Sequence, residues 1–428
     1  MTITLAGRTV QVGPRSAVRT LRGEVRAMSW SLRLWLLALM GLMAVGAVGA
    51  LLAIPAGDEV FGTTPTVEWG LLIAAYVLFV VTTSGLCLVS SLGTVFGIEA
   101  FAPVARRAVV MAALCLMAGF GIIALDLHWP LRLLFGVVLS PSPLSPMWWM
   151  GTVYGIYLVF LIIELVGMFG GWHRIARLGG SLALVTAIVA PSTLGAVFGV
   201  LVVRPAWHGP FMPAYLLATA VLSGAAMLAL LYALVARFSL RGHGPASERA
   251  LTAIGRLLAA AVGAGIFLTA WQMIVGLYGG EPGSSEAAQA QLTGPLALQW
   301  WVVRVIIGLL IPFVLLVVPR LRTRAGIGIA GALVLVGLVA DRSGFVMAGQ
   351  IAPATSASGV VSDPWAVYTP SLVEVSIVVG AAALVAFLYT LAERYLDLTE
   401  PVAEHPAGSV AGSEVAPARA PADARGVA

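Results

Sequence analysis

Ten apolar stretches, most of them about 20 residues long, leave this chain few folds to choose from. They fall at 32–54, 70–97, 108–126, 147–170, 179–203, 211–236, 253–278, 297–319, 326–340 and 369–392. Runs of this length cross a hydrocarbon layer as helices, because a helix satisfies its backbone N–H and C=O groups internally where water cannot. Only 10% of the residues are charged, against about a quarter in soluble domains. The sequence therefore predicts an all-α integral membrane protein, with about ten transmembrane helices in helical bundles. Residues 1–31 form a basic N-terminal segment, 32–395 the transmembrane domain, and 396–428 an Ala-, Pro-, Glu- and Gly-rich tail expected to be disordered. The Arg-rich start has no small-residue cleavage site after it and does not read as a signal peptide. Val18, Leu21, Val25 and Met28 share one helical face there, which suits a helix lying on the membrane surface.

Charge placement gives the orientation. All 24 basic residues are arginine. Arg8, Arg15, Arg19, Arg22, Arg26 and Arg33 precede or open the first run, and Arg106, Arg107, Arg174, Arg177, Arg237, Arg241, Arg249, Arg256, Arg320, Arg322 and Arg324 follow at alternate turns. The other turns hold Arg132, Arg204 and Arg342 together with Asp58, Glu59, Glu68, Glu281, Glu286 and Asp363. Basic residues favour the cytoplasmic side, so both termini are expected in the cytoplasm of a multi-pass protein of the bacterial inner (plasma) membrane. Trp69, Trp129, Trp148, Trp149, Trp207, Trp300, Trp301 and Trp365 then fall near outer ends, as an interfacial aromatic belt would.

An ionisable group inside a span costs about 2.5–3.5 kcal/mol on insertion scales. Asp126, Glu164, Arg304 and Glu374 are such groups, with His128, Asp341 and Arg342 expected at the outer edge. Tyr154, Tyr157, Leu161 and Glu164 follow one another at spacings of three and four and so form one helical stripe. Two phenols leading to a carboxylate suit proton movement or a pocket wall; an interhelical hydrogen-bond seam would also use them. Thr83, Cys87, Ser90 and Thr94 make a similar stripe that reads as helix-packing contacts. The stretch "TPSLVE" fits a capping box, with Ser371 as N-cap and Glu374 reaching back to it. Arg304 has three possible partners: Glu374, another acid, or a ligand oxygen.

What is missing narrows the function. A membrane cytochrome b needs axial ligands facing each other between helices. His128, His173, His208, His243 and His405 all lie at helix ends, in loops or in the tail. Cys87 and Cys115 are isolated within apolar runs, and no phosphate loop, HExxH or cysteine cluster occurs. The residues thus indicate no haem, iron–sulfur, zinc, nucleotide or nucleic-acid site in this chain.

Three stretches carry a family resemblance: "SGLCLVSSLGTVFGIEAFAPVARRAV" (84–109), "ALDLHWPLRL" (124–133) and "SPMWWMGTVYGIYLVFLIIEL" (145–165). They resemble the NrfD-like family of polysulphide-reductase membrane subunits. Asp126, Leu127 and Pro130 match that family's Asp-Leu-Gly-Arg-Pro pattern, whereas His128 and Trp129 depart from it. "DRSGFVMAGQ" (341–350) and "YTPSLVEV" (368–375) resemble the ten-helix branch that includes the membrane subunit of nickel–iron hydrogenases. The resemblance covers about residues 70–395. It implies a haem-free subunit that binds exchangeable menaquinone or ubiquinone near the outer face. Electrons would pass between the quinone and an outer-side ferredoxin-like iron–sulfur subunit, and a catalytic subunit of molybdopterin, hydrogenase or multihaem type would lie beyond it. On this reading Asp126 and Glu164 handle protons, and Asp126, His128, Tyr154, Tyr157, Arg304 and Glu374 surround the quinone. A proton-coupled secondary transporter is the competing class, but no pair of interrupted half-repeats appears in corresponding positions. A proton-conducting role could accompany quinone chemistry.

Overall fold

A computed structural model describes residues 2–5, 8–11, 28–127, 135–136, 140–237, 245–279, 283–351, 365–366 and 368–398. The proposed surface helix, apart from Met28, and the C-terminal tail beyond Leu398 lie outside these residues. Ten helices are long and apolar enough to cross a membrane. They are α1 (Trp30–Ala56), α2 (Leu71–Thr94), α3 (Ala105–Asp126), α4 (Pro146–Phe169), α5 (His173–Gly199), α6 (Phe211–Arg237), α7 (Pro245–Tyr278), α9 (Gln299–Val317), α10 (Arg324–Ile351) and α11 (Leu372–Tyr395). A short helix, α8 (Ser284–Leu292), was not expected; it occupies the loop before α9. Among the described residues the only strands are a small antiparallel pair, β1 (Thr2–Leu5) and β2 (Arg8–Gln11).

The run expected to end at 340 continues to Ile351 as α10. Asp341 and Arg342 are therefore not at the outer edge. They lie two to three turns inside the helix and are 4% and 1% exposed. Two adjacent charges end the apolar run, yet each has a partner within the bundle, so the helix carries on through them. The first ten-odd residues of α9, Gln299–Leu310, are wound as a π-helix, and α-helix resumes at Ile311, just before Pro312.

The helices pack as two groups of four. α2, α3, α4 and α5 form the first bundle, and α6, α7, α9 and α10 the second. α2 packs on both α6 and α10 and joins the two. At the α2–α6 crossing Gly85 lies on Ala220 and Gly224, so close that a side chain on either glycine would meet backbone. Small residues permit such approach in membranes, where dispersion contacts replace the hydrophobic drive of water. α1 and α11 pair through Gly46 and Gly380 and rest on α3.

The aromatic residues correct the simple belt. Trp149 and Trp301 are exposed as expected, but Trp207 is 2% exposed and stacks on Trp69 with ring centroids 5.3 Å apart. Phe198 meets both edge-on, and the Trp207 Nε1–H donates to the Phe345 carbonyl at 2.9 Å. This aromatic block sits where the two bundles meet.

At the opposite end, Arg107 of α3 donates from Nη2 to Glu393 of α11 at 2.6 Å and from Nε to both carboxylate oxygens at 3.2 Å. Tyr389 donates to the same carboxylate at 3.2 Å, and the guanidinium lies 5.2 Å from the Tyr232 ring centre. Both charged side chains are buried. Removing one partner strands the other charge, so Glu393→Ala is expected to lower unfolding stability in detergent by about 3–5 kcal/mol, and the apolar pair Arg107→Met with Glu393→Leu to recover most of it. A loss below about 1 kcal/mol for Glu393→Ala would show that the pair is effectively solvated.

Candidate functional site

A cavity of about 700 Å³ opens between the start of α2, the end of α3, the start of α4 and the end of α5 in the first bundle. Its size falls within the range of about 300–1,000 Å³ typical of small-molecule sites. The walls are mainly apolar and aromatic, with Trp69, Ile73, Phe120, Trp148 and Phe198 prominent. Polar groups are few: the Asp126 carboxylate, the Tyr76 phenol and the Ser142 and Ser145 hydroxyls. An apolar ring system with polar edges, held by one carboxylate, fits such a lining.

Local sequence explains the mouth. α4 starts sharply because Ser145 caps it, accepting from the Trp148 amide at 3.4 Å, with Pro146 in the first turn where its missing N–H costs nothing. That start places Met147, Trp148 and Gly151 against the cavity. α3 ends at Asp126, so the carboxylate meets the negative end of its own helix dipole. Trp69 is held in the wall by Gln350 of α10, which accepts from the Trp69 amide at 3.0 Å and donates to its carbonyl at 2.9 Å.

Beside the cavity, Glu374 closes the expected capping box with Ser371. Its Oε2 also accepts from the Gly62 amide at 2.8 Å, and its Oε1 accepts from the Tyr368 hydroxyl at 2.7 Å. The Leu71 amide donates in turn to Tyr368 at 2.7 Å, so one carboxylate ties the connection after α1, the start of α2 and the start of α11 together. Burial, the hydrogen bond to Glu374 and the nearby negative charges of Glu374 and Asp126 hold the Tyr368 phenol protonated well above its usual range. Asp126 thus lies in the electrostatic reach of this platform. His128 lies outside the described residues.

The α4 stripe faces inward as its spacing required. Tyr154, Tyr157, Leu161 and Glu164 are all buried, the first three completely. Tyr157 donates to the Thr83 carbonyl at 3.1 Å, and the two phenol rings lie 6.5 Å apart. Cys87 of α2 approaches both Tyr157 and Glu164, so the two polar stripes meet face to face. Tyr76 extends the α2 stripe two turns beyond Thr83 and connects it to the cavity wall. The seven-residue step from Tyr76 to Thr83 was the available signal, and sequence reasoning missed it. Glu164 lies 2% exposed against Gly179 and Gly180 of α5, and its Oε2 has no hydrogen-bond partner among the described residues.

Arg304 is elsewhere, in the second bundle. Its partner is Asp341 at 2.8 Å, not Glu374. Tyr215, Thr269 and Gln272 accept from the same guanidinium at 2.9, 3.2 and 3.2 Å. Tyr215 donates to Asp341 at 2.5 Å; Arg342 bonds Asp341 at 2.9 Å and Thr219 at 2.6 Å. Of the residues singled out from sequence, Asp126, Glu164, Tyr154 and Tyr157 thus gather on the first bundle, while Arg304 and Glu374 are held by protein groups. Among the described residues, no group of three or more His, Cys, Asp or Glu side chains could hold a metal ion.

The chain is similar along most of its length to subunits of oxidoreductases. It is 24% identical to a selenate reductase subunit of Mesobacillus selenatarsenatis, over 78% of this chain and 87% of that protein. It is 27% identical to the Hdr-like menaquinol oxidoreductase integral membrane subunit of Archaeoglobus fulgidus, over 79% and 86% of the two chains. It is 26% identical to a putative dimethyl sulfoxide reductase membrane subunit of Halobacterium salinarum, over 77% and 83%. The family described as polysulphide reductase, NrfD, matches residues 59–354, which include all of the first bundle and the second as well. This chain belongs to the NrfD polysulphide reductase family.

Proposed function

We propose that this protein is the haem-free, quinone-reactive membrane subunit of a respiratory oxidoreductase complex. The observation that carries the reading is the apolar cavity of about 700 Å³ with Asp126 at its rim. Its relatives' descriptions support a subunit that works with others: two are called reductase subunits and one a menaquinol oxidoreductase subunit. The ligand is menaquinone or ubiquinone, entering from the bilayer. Electrons exchange with a ferredoxin-like iron–sulfur subunit docked on the face where the cavity lies, and beyond it with a catalytic subunit. The arginine distribution favours that face being the outer one of a cell membrane, with both termini cytoplasmic.

Quinol oxidation yields two electrons and two protons, and the chain's part is to hold the ring and take the protons. Trp69, Trp148 and Phe198 exclude water and grip the ring plane. Asp126, at the cavity rim where α3 ends, is the proton acceptor. Tyr76, Tyr154, Tyr157 and Glu164 form a polar line from the cavity toward the other side of the membrane, along which a proton can be exchanged. Arg304 and Glu374 support the frame: one holds the second bundle together and the other fixes the connections beside the cavity.

Two substitutions test the assignment in the assembled complex. Asp126→Asn keeps the shape and removes the base, so quinol-linked electron transfer should fall at least about tenfold, as for a typical general base. Assembly should be unaffected; lost assembly with normal turnover in the surviving complex would make Asp126 structural. Glu164→Gln should reduce proton coupling or turnover in proteoliposomes while the complex stays intact. Wild-type values for both would reduce the stripe of Tyr154, Tyr157 and Glu164 to a packing seam.

A further inference from the structure

The ionic cluster of the second bundle holds one positive charge more than its cohesion requires. Arg304 and Arg342 share a single carboxylate, Asp341, at 2.8 and 2.9 Å. Among the described residues the other buried acids belong to other sites: Glu374 to its capping box, Glu393 to Arg107 and Glu164 to the α4 stripe. Arg304 alone neutralises Asp341. Arg342 is the surplus, 1% exposed, held by Asp341 and by Thr219 at 2.6 Å, and lying 5.8 Å from the Tyr215 ring centre. Its Nε–H has no hydrogen-bond partner among the described residues. A surplus charge at membrane depth is costly, so its presence points to work outside the cluster.

The packing shows where that charge acts. Thr219, which accepts from Arg342, precedes Ala220, and the Ala220 carbonyl rests on Gly85 of α2 where the two bundles cross. A side chain at position 85 would overlap that carbonyl, so the glycine is what lets the cluster come so near the first bundle. Ser84, next to Gly85, lies beside the Tyr154 phenol of α4, and the Arg342 charge reaches the same phenol. Depth agrees. Arg342 is nine residues from the end of α10 at Ile351 and Tyr154 eight from the start of α4 at Pro146, about 12–14 Å along each helix. Both of those helix ends lie at the cavity, where Gln350 holds Trp69 and Met147 lines the wall. Tyr154 neighbours Tyr76 of the cavity wall on one side and Tyr157 on the other, with the Tyr157 ring 6.5 Å away. A fixed positive charge thus stands beside the line of Tyr76, Tyr154, Tyr157 and Glu164.

We propose that Arg342 is an electrostatic barrier on that line, holding back protons that would otherwise pass between the cavity and the Glu164 end. It acts through its field beside Tyr154 and takes no proton itself, since a guanidinium stays charged throughout. A proton passing within about 8 Å of a fixed positive charge, at an effective dielectric constant of about 20, is slowed at least about tenfold. Pores that must exclude protons and cations use an arginine in the same way. Protons released at the cavity then leave by Asp126 and do not leak through the bundle. The inference rests on the proton line proposed above and not on the identity of the cavity's ligand.

The test is passive proton flux through the assembled complex in liposomes. A potassium diffusion potential drives it, an internal pH dye reads it, and no quinone or electron donor is added. Arg342→Gln leaves the Arg304–Asp341 pair in place and should raise the flux at least about tenfold over wild type. Arg342→Lys keeps the charge and should return the flux to near the wild-type level. Adding Glu164→Gln to Arg342→Gln should lower it again, because the leak then runs along the proposed line. An unchanged flux in an assembled Arg342→Gln complex overturns the proposal. A leak as large in Arg342→Lys as in Arg342→Gln marks a packing defect and overturns it too, as does a leak that survives Glu164→Gln. Arg342→Met is the second neutral variant; loss of assembly in both would make the charge structural and also overturn the barrier. Failure of the line itself shows separately, as wild-type turnover and coupling in Glu164→Gln alone.

Discussion

Lipid offers no hydrogen bonds, so every charge placed within the membrane must be answered by the protein itself. That constraint organises this structure. Arg107 is answered by Glu393 across α3 and α11, and Arg304 and Arg342 by Asp341, Tyr215 and Thr219 across α6, α9 and α10. The Glu374 carboxylate is answered three times over, by two amides and a phenol. These pairs fix which helices touch and in what register. Glu164 stands apart, buried with a carboxylate oxygen that no described residue partners. Asp126 differs in its place, at a cavity rim and at the wrong end of a helix dipole. On the proposed reading, the fold uses most of its buried charges for cohesion and these two carboxylates for chemistry.

The division follows the two bundles. The second is the better tied: its ionic cluster closes on itself, and its glycine crossing with α2 brings the backbones together. It presents Phe345 and Gln350 to the first bundle and, with Trp207 from the connection before α6, fixes Trp69 in the cavity wall. The first bundle stays open at one end because Trp148, Phe120 and Phe198 surround space rather than fill it. A rigid neighbour holding a wide cavity in shape is the arrangement expected of a site that exchanges an apolar ligand.

The ten helices were legible because apolar length is a strong signal in a single sequence. The α4 stripe was legible because three- and four-residue spacing puts its members on one face whatever they meet. The end of α10 was misplaced because Asp341 and Arg342 interrupt the apolar run, and their compensation comes from Tyr215, Thr219 and Arg304, far away in sequence. Arg107–Glu393 escaped notice for the same reason: 286 residues separate the partners, and an arginine at a helix start reads as an orientation signal. Trp69 and Trp207 read as interfacial residues because composition tells how far along a helix a tryptophan lies and not which way it faces. Glu374 was legible to the extent that a capping box is local, whereas its ties to Gly62 and Tyr368 are not.

The central claim is that a quinone ring occupies the cavity between α2, α3, α4 and α5 beside Asp126. A photoreactive quinone analogue, irradiated in membranes containing the complex and mapped by peptide mass spectrometry, tests it directly. The expected label falls within residues 69–77, 120–127, 147–155 or 194–198 and is displaced by excess unlabelled quinone. Displaceable label confined to α6, α7, α9 or α10 would contradict it.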